Sequence, residues 1–268
     1  MRLMRTMKYK IIDSHRTINS RTKKALALFF CDVKQLSLND AYDQVDFCNW
    51  FEKEFAVKWF EVVVYDAAKV VGYLRCLRNP EKLEEWFIGD VHVADAYRHQ
   101  GIASKMYEKA IATVEEFEAA EYIVTSVHQE NKNSIGLHEK MGFFDTKSPC
   151  MFPNFYFDEK ETAYKKWLYQ YFPVSDIDID MAMDALLPIW QAYERKQCME
   201  NFEETSSKEK LHIILKQSVE EGTDSFQTIW CGNRLVGFAY DGDIFIQELP
   251  VTVPISGTTV PSITENVC

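Results

Sequence analysis

Hydrophobic positions recur along this chain with two periods, one near two residues and one near 3.6, and these divide it into alternating strands and helices. Residues 7–13 and the apolar runs at 59–65, 70–75, 86–93 and 122–127 predict strands. Residues 22–36 and 43–55 predict helices, as does the stretch from Ile102, where Met106, Ala110, Ile111, Val114 and Phe117 share one face. An aromatic stretch at 163–168 predicts the last strand of the same sheet. The expected fold is α/β, or mixed-sheet α+β, over residues 1–172, with Pro173 and the acidic run 176–180 marking a boundary. Beyond it, residues 181–197 and 208–220 predict helices, and 227–231 with 235–240 a hairpin turning at Gly232-Asn233. Two helices and a hairpin also occupy residues 22–75, so residues 173–268 are expected to form a smaller α+β lobe repeating the first half, with an irregular tail from about residue 250.

One junction carries chemistry. Residues 98–103 read Arg-His-Gln-Gly-Ile-Ala between a strand ending at Val93 and the helix from Ile102. The first N–H groups of a helix have no partner within it and carry the positive end of its dipole, so a diphosphate satisfies them. Gly101 and small Ala103 admit the anion close to the backbone, and Arg98 adds a guanidinium fork. Alone, so short a pattern is weak.

After the next strand comes Asn131-Lys-Asn-Ser-Ile-Gly-Leu-His-Glu-Lys-Met-Gly-Phe143. The two segments, in this order and spacing, resemble the paired motifs of the GNAT superfamily of acyl-CoA-dependent N-acetyltransferases, Gln/Arg-x-x-Gly-x-Gly/Ala followed by Asn-x-x-Ala-x-x-Leu-Tyr-Glu-Lys-x-Gly-Phe. The resemblance spans roughly residues 7–170. It implies acetyl-CoA as acyl donor, with His99, Gln100, Gly101, Ile102, Ala103 and Ser104 forming the pyrophosphate loop and Arg98 flanking it. It further implies that the strand ending at Val93 splays from its neighbour, so that backbone around Val91 and Val93 receives the pantetheine arm, and that Asn131 contacts the same molecule. Asn131 reads equally well as a plain helix cap.

Transfer from a thioester to an amine needs a base for the ammonium and a proton for the thiolate. Where the family often carries tyrosine as proton donor, this chain has His138, which also reads as a helix residue packed beside the sheet. Glu84, Glu85, Asp90 and His92 lie along the strand beside the acyl group, and Glu85 and His92 lead as bases. Cys76 and Cys150 lack an evident activating partner.

Charge divides the chain. Residues 1–172 hold 24 basic and 25 acidic side chains, residues 173–268 only 6 and 16, so the second lobe carries most of the net −11. It contains no second pyrophosphate loop. An acidic lobe favours cationic acceptors such as polyamines, aminoglycosides or lysine-rich peptides and disfavours nucleic acid. The seven scattered cysteines form no Cys-x-x-Cys pair, no metal site is indicated, and no apolar run is long enough to span a bilayer. The expectation is a cytoplasmic enzyme acetylating a primary amine of a small molecule or peptide, its second lobe shaping the acceptor side or a homodimer interface. The competing reading is a non-catalytic acyl-CoA-binding regulatory module.

Overall fold

Strands rich in β-branched and aromatic residues, apolar on both faces, need cover on both sides. The computed structural model, which describes residues 7–13, 18–117, 119–174, 179–197, 204–221, 225–232 and 234–247, builds its first unit around two such strands. In β2 (Trp59–Asp66) and β3 (Lys69–Arg78), Val62, Val63, Val64, Val71, Tyr73 and Leu74 are all buried. The chain reaches them through β1 (Lys8–Asp13), α1 (Ser20–Lys34) and α2 (Leu38–Phe55). Asn19 Oδ1 caps α1 by accepting the Thr22 N–H at 2.8 Å, and Ser37 Oγ caps α2 by accepting that of Asp40 at 3.3 Å. The Ser37 cap starts α2 at Leu38, ahead of residue 43, where the apolar periodicity becomes visible.

After β3 come β4 (Glu85–Val93), α3 (Ile102–Glu115), β5 (Tyr122–His128), α4 (Lys132–Lys140), β6 (Phe144–Pro149) and β7 (Glu161–Trp167). The sheet order is β1-β2-β3-β4-β5-β7-β6, antiparallel except for the parallel pair β4–β5. Thus β7 lies between β5 and the edge strand β6. The sequence Phe-Asp-Thr-Lys-Ser-Pro of β6 shows no alternation because it is mostly exposed, which hides it from pattern reading. One face of the sheet takes α1, whose Phe30 meets Tyr73 edge-on at 4.7 Å. The other takes α3, which sits close because Gly72 has no side chain.

The two compact units divide at Trp167/Leu168, a few residues before the expected boundary at 172, because Tyr169–Pro173 forms β8 of a second sheet. That unit continues with α5 (Ile179–Gln197), α6 (Glu204–Glu221), β9 (Phe226–Cys231), β10 (Arg234–Tyr240) and β11 (Asp243–Ile246). Its antiparallel sheet, β11-β10-β9-β8, closes over a core including Leu186, Leu211, Leu215, Phe226 and Phe238. Strand, two helices and three strands in this pairing match β1 through β4. The likeness extends to the register. Val71 is an extra residue in β3 opposite Val64 and Tyr65, and Val236 is an extra residue in β10 opposite Ile229 and Trp230, each just before a glycine. The tail expected from residue 250 lies outside the described residues.

A methyl group at Gly72 would lie 3.1 Å from Ile102 Cγ2 and Val64 Cγ2 and 3.2 Å from Met106 Sδ. Gly72→Ala is therefore expected to lower unfolding free energy by about 1–3 kcal/mol, the usual cost of overpacking, measured by denaturant titration.

Candidate active site

Strands β4 and β5 pair in register only from Glu85↔Tyr122 to Ile88↔Thr125. Immediately afterwards β4 carries a bulge: opposite β3, Arg75 pairs with Gly89 and Tyr73 with His92, so three steps on β4 face two on β3. A bulge bends its strand. The bend begins where pairing with β5 ends, leaving the inner edge of β4 from Gly89 to Val93 unpaired. Two neighbouring cavities line this opening. One, of about 460 Å³, runs past Val91, Val93 and Gly101 to Asn131; the other, of about 260 Å³, lies under Asp90 and Glu161. Val91, Tyr107, Ser134 and His138 border both.

Asp90 at the bulge has a left-handed backbone, φ 51°, which a side chain adopts only when its surroundings hold it. Its carboxylate accepts from Arg75 Nη1 and Lys34 Nζ, both at 2.7 Å. Arg75 is itself buried: Nε donates to the Tyr73 hydroxyl at 3.1 Å, Nη2 to the Gln44 carbonyl at 2.8 Å, and the guanidinium lies 4.5 Å from the Phe47 ring centre. Tyr73 in turn donates to buried Glu61 at 2.5 Å. Burial pushes the Asp90 carboxyl upward, but His92, Arg75 and Lys34 outweigh it and hold the group well below the usual carboxylate range. His92 lines the larger cavity with Nε2 3.8 Å from Asp90 Oδ1.

The loop between β4 and α3 turns on two left-handed residues. His99 and Gly101 both take positive φ, 60° and 77°. Gly101 is the N-cap of α3, and no side chain caps the helix there, so the N–H groups of Ile102, Ala103 and Ser104 face the cavity without a capping oxygen. A Cβ built on Gly101 would meet no protein atom within 4 Å. The glycine is thus required by its φ and by space for a ligand, not by packing. Arg98 is exposed and tied to the loop, Nη2 to Asp95 at 2.9 Å and Nε to the Val93 carbonyl at 3.2 Å. Gln100 turns away, donating to the Ala96 carbonyl at 3.2 Å, and does not line the cavity. Asn131 caps α4 by accepting the Ser134 N–H at 3.1 Å and also borders the cavity.

His138 is 3 % exposed. Its Nδ1 lies 2.7 Å from the Ser134 carbonyl oxygen, which can only accept, so Nδ1 carries the proton. The neutral ring then accepts at Nε2, 2.6 Å from the Tyr107 hydroxyl. Burial lowers the imidazole pKa against the opposing bond to Ser134, and burial raises that of the Tyr107 phenol, so both are neutral near pH 7. Of the two sequence readings of His138, proton donor and helix residue packed beside the sheet, its burial favours the second, and Tyr107 is the O–H beside it. Tyr107 escaped sequence reading because a tyrosine beside Met106 on a packed helix reads as core, and its partner is 31 residues away.

Glu85, the other expected base, begins β4 roughly 25 Å from Val93 at the rise of an extended strand. It is buried, accepts from Asn79 Nδ2 at 2.6 Å and lines neither cavity. Cys76 and Cys150 are free, buried thiols; burial pushes Cys76 well up, and burial with the nearby Glu85 charge pushes Cys150 up to about 12. Both are poor nucleophiles. Among the described residues no group of three or more His, Cys, Asp or Glu is placed to hold a metal ion, and no helix is long and apolar enough to cross a membrane.

Residues 25–143 match the model of the acetyltransferase (GNAT) family. Among particular proteins, an L-2,4-diaminobutyric acid acetyltransferase from Oceanobacillus iheyensis is 29% identical over 114 residues, 41% of this chain. The chain spans 60% of that relative's length. Among solved structures, a GNAT-family protein from Desulfovibrio desulfuricans is similar at TM-score 0.47 and 11% identity, covering 60% of this chain and 99% of its own. A paiA N-acetyltransferase from Thermoplasma acidophilum, solved with coenzyme A, gives TM-score 0.45 and 11% identity with the same coverage.

Two expectations follow. Asp90→Asn removes the charge facing buried Arg75 and should cost about 3–5 kcal/mol in denaturant unfolding. For His138 the folded pKa lies below the unfolded value near 6.5, so the unfolded chain binds more protons as pH falls. The stabilisation is complete above about pH 6.5 and is lost on acidification toward the folded pKa. Between pH 7.5 and 5.5 the wild-type Tm should therefore fall more than that of His138→Gln, whereas Asp90, ionised throughout, contributes no difference in this window.

Proposed function

We propose that this protein is an acetyl-CoA-dependent N-acetyltransferase that acylates a primary amine of a small molecule. The observation that carries the reading is a single opening in the sheet that combines an uncapped helix start at left-handed Gly101, the unpaired edge of β4 and the Tyr107–His138 pair. The family match over residues 25–143 supports it, as does the relative whose name designates an amine acceptor.

In this reading the N–H groups of Ile102, Ala103 and Ser104 receive the diphosphate of acetyl-CoA, with Arg98 at its flank. Backbone groups of Val91 and Val93 take the pantetheine amides as an added strand. His99 and Asn131 border the same channel. The acceptor arrives as an ammonium and loses one proton to His92, which passes it to solvent. As the new N–C bond forms and the C–S bond breaks, the Tyr107 O–H turns from His138 Nε2 to give its proton to sulfur, and the oxygen recovers one from the acylated nitrogen. The tyrosine ends as it began, and the products are the amide and the free thiol. His138 positions the Tyr107 hydroxyl by accepting its hydrogen bond. The second unit is read as a partial repeat of the first half, without the anion loop. The five described cysteines are all free thiols, which suits a reducing compartment such as the cytoplasm.

Release of free thiol from acetyl-CoA across a panel of amines tests this. Tyr107→Phe should lower kcat about 10²-fold or more, the range for loss of a general acid, with KM for acetyl-CoA little changed. Gly101→Glu should abolish acetyl-CoA binding in calorimetry; unaltered binding would remove the loop from the assignment.

A further inference from the structure

The smaller cavity decides what kind of amine can reach Tyr107. Its volume of about 260 Å³ lies below the range of sites for drug-sized ligands, so its occupant is compact. Besides neutral His138, the titratable side chains at its wall that carry charge near neutral pH are Asp90 and Glu161, both carboxylates. They are not equivalent. Asp90 is neutralised by Lys34 and Arg75. Glu161 makes no ion pair among the described residues; one oxygen, Oε2, accepts the Asp158 N–H at 2.9 Å.

Aromatic side chains share the cavity wall with that carboxylate. Phe155, Tyr156 and Phe157 line the same cavity, with Phe155 and Phe157 stacked at 6.2 Å and the Tyr156 ring 95 % exposed. An uncompensated carboxylate among aromatic faces is a site for an organic cation. Yet the nitrogen that attacks a thioester must be neutral, and a site that stabilises an ammonium works against its deprotonation. Both demands are met when the molecule has two nitrogens.

Resting on the acetyltransferase reading above, we propose that the acceptor is a compact diamine. Its distal ammonium is held by Glu161 and the aromatic residues 155–157, while its other amine, once His92 has taken its proton, lies neutral between Val91 and Tyr107. This selects against a monoamine of the same length, which leaves Glu161 unmatched, and against an aminoglycoside, which exceeds the cavity.

The test compares diaminobutane with butylamine in the thiol-release assay, using the full chain and Glu161→Gln. Glutamine keeps an oxygen for the Asp158 N–H while removing the charge, and unchanged Tm checks that it folds. Expected are a kcat/KM for diaminobutane at least about tenfold above that for butylamine, and a rise in KM on Glu161→Gln about tenfold greater for the diamine than for the monoamine. In the wild type, added salt should raise the diamine KM more than the monoamine KM, a readout independent of the variant. Equal use of both amines, or equal effects of Glu161→Gln on both, overturns the diamine assignment while leaving the acetyltransferase standing. Binding of acetyl-CoA without turnover of any amine overturns both.

Discussion

The bulge at Asp90 is the constraint on which the site depends. A strand that continued in register with β5 past Ile88 would close the sheet and leave no groove. Instead Asp90 adopts a left-handed backbone and is fixed by Lys34 from α1 and Arg75 from β3, and β4 leaves its neighbour. Arg75 is buried and needs partners for every donor, so Tyr73, Gln44 and Glu61 are drawn into the same network. The interior charge under the sheet and the opening above it are two sides of one arrangement. Polar residues in a core are costly, and here they hold a shape that apolar packing alone does not specify.

The reacting end of the groove depends on burial in a different way. Burial keeps the His138 ring neutral against the opposing bond to the Ser134 carbonyl, and that bond fixes the proton on Nδ1 and leaves Nε2 to accept. The O–H that its Nε2 accepts is that of Tyr107 on α3, which borders the groove.

The second unit separates fold from site. It reproduces the strand order of the first half and the bulge before Gly237, yet Gly237 answers a different need from Gly72. A Cβ at Gly72 would meet the side chains of α3; one at Gly237 would run into the backbone of Phe245 on β11. The same topology serves different packing, and the Arg98–Ser104 loop at the start of α3 has no counterpart among the described residues of the second unit.

Much of this was readable from the sequence. Period determined the helices and most strands, because burial on one face or both leaves a local record. The loop from Arg98 to Ser104 was legible because its features are local: a strand end, a glycine and a helix start are contiguous in the chain. Edge strand β6 and the short β8 left weak records because exposure or brevity erases alternation. Glu85 and His92 look alike as bases in sequence; only the length of β4 puts one at the groove and the other at its far end. The Tyr107–His138 bond and the pinning of Asp90 join positions brought together by the fold. Protonation there is set by burial and by those distant partners, so the tertiary structure decided it.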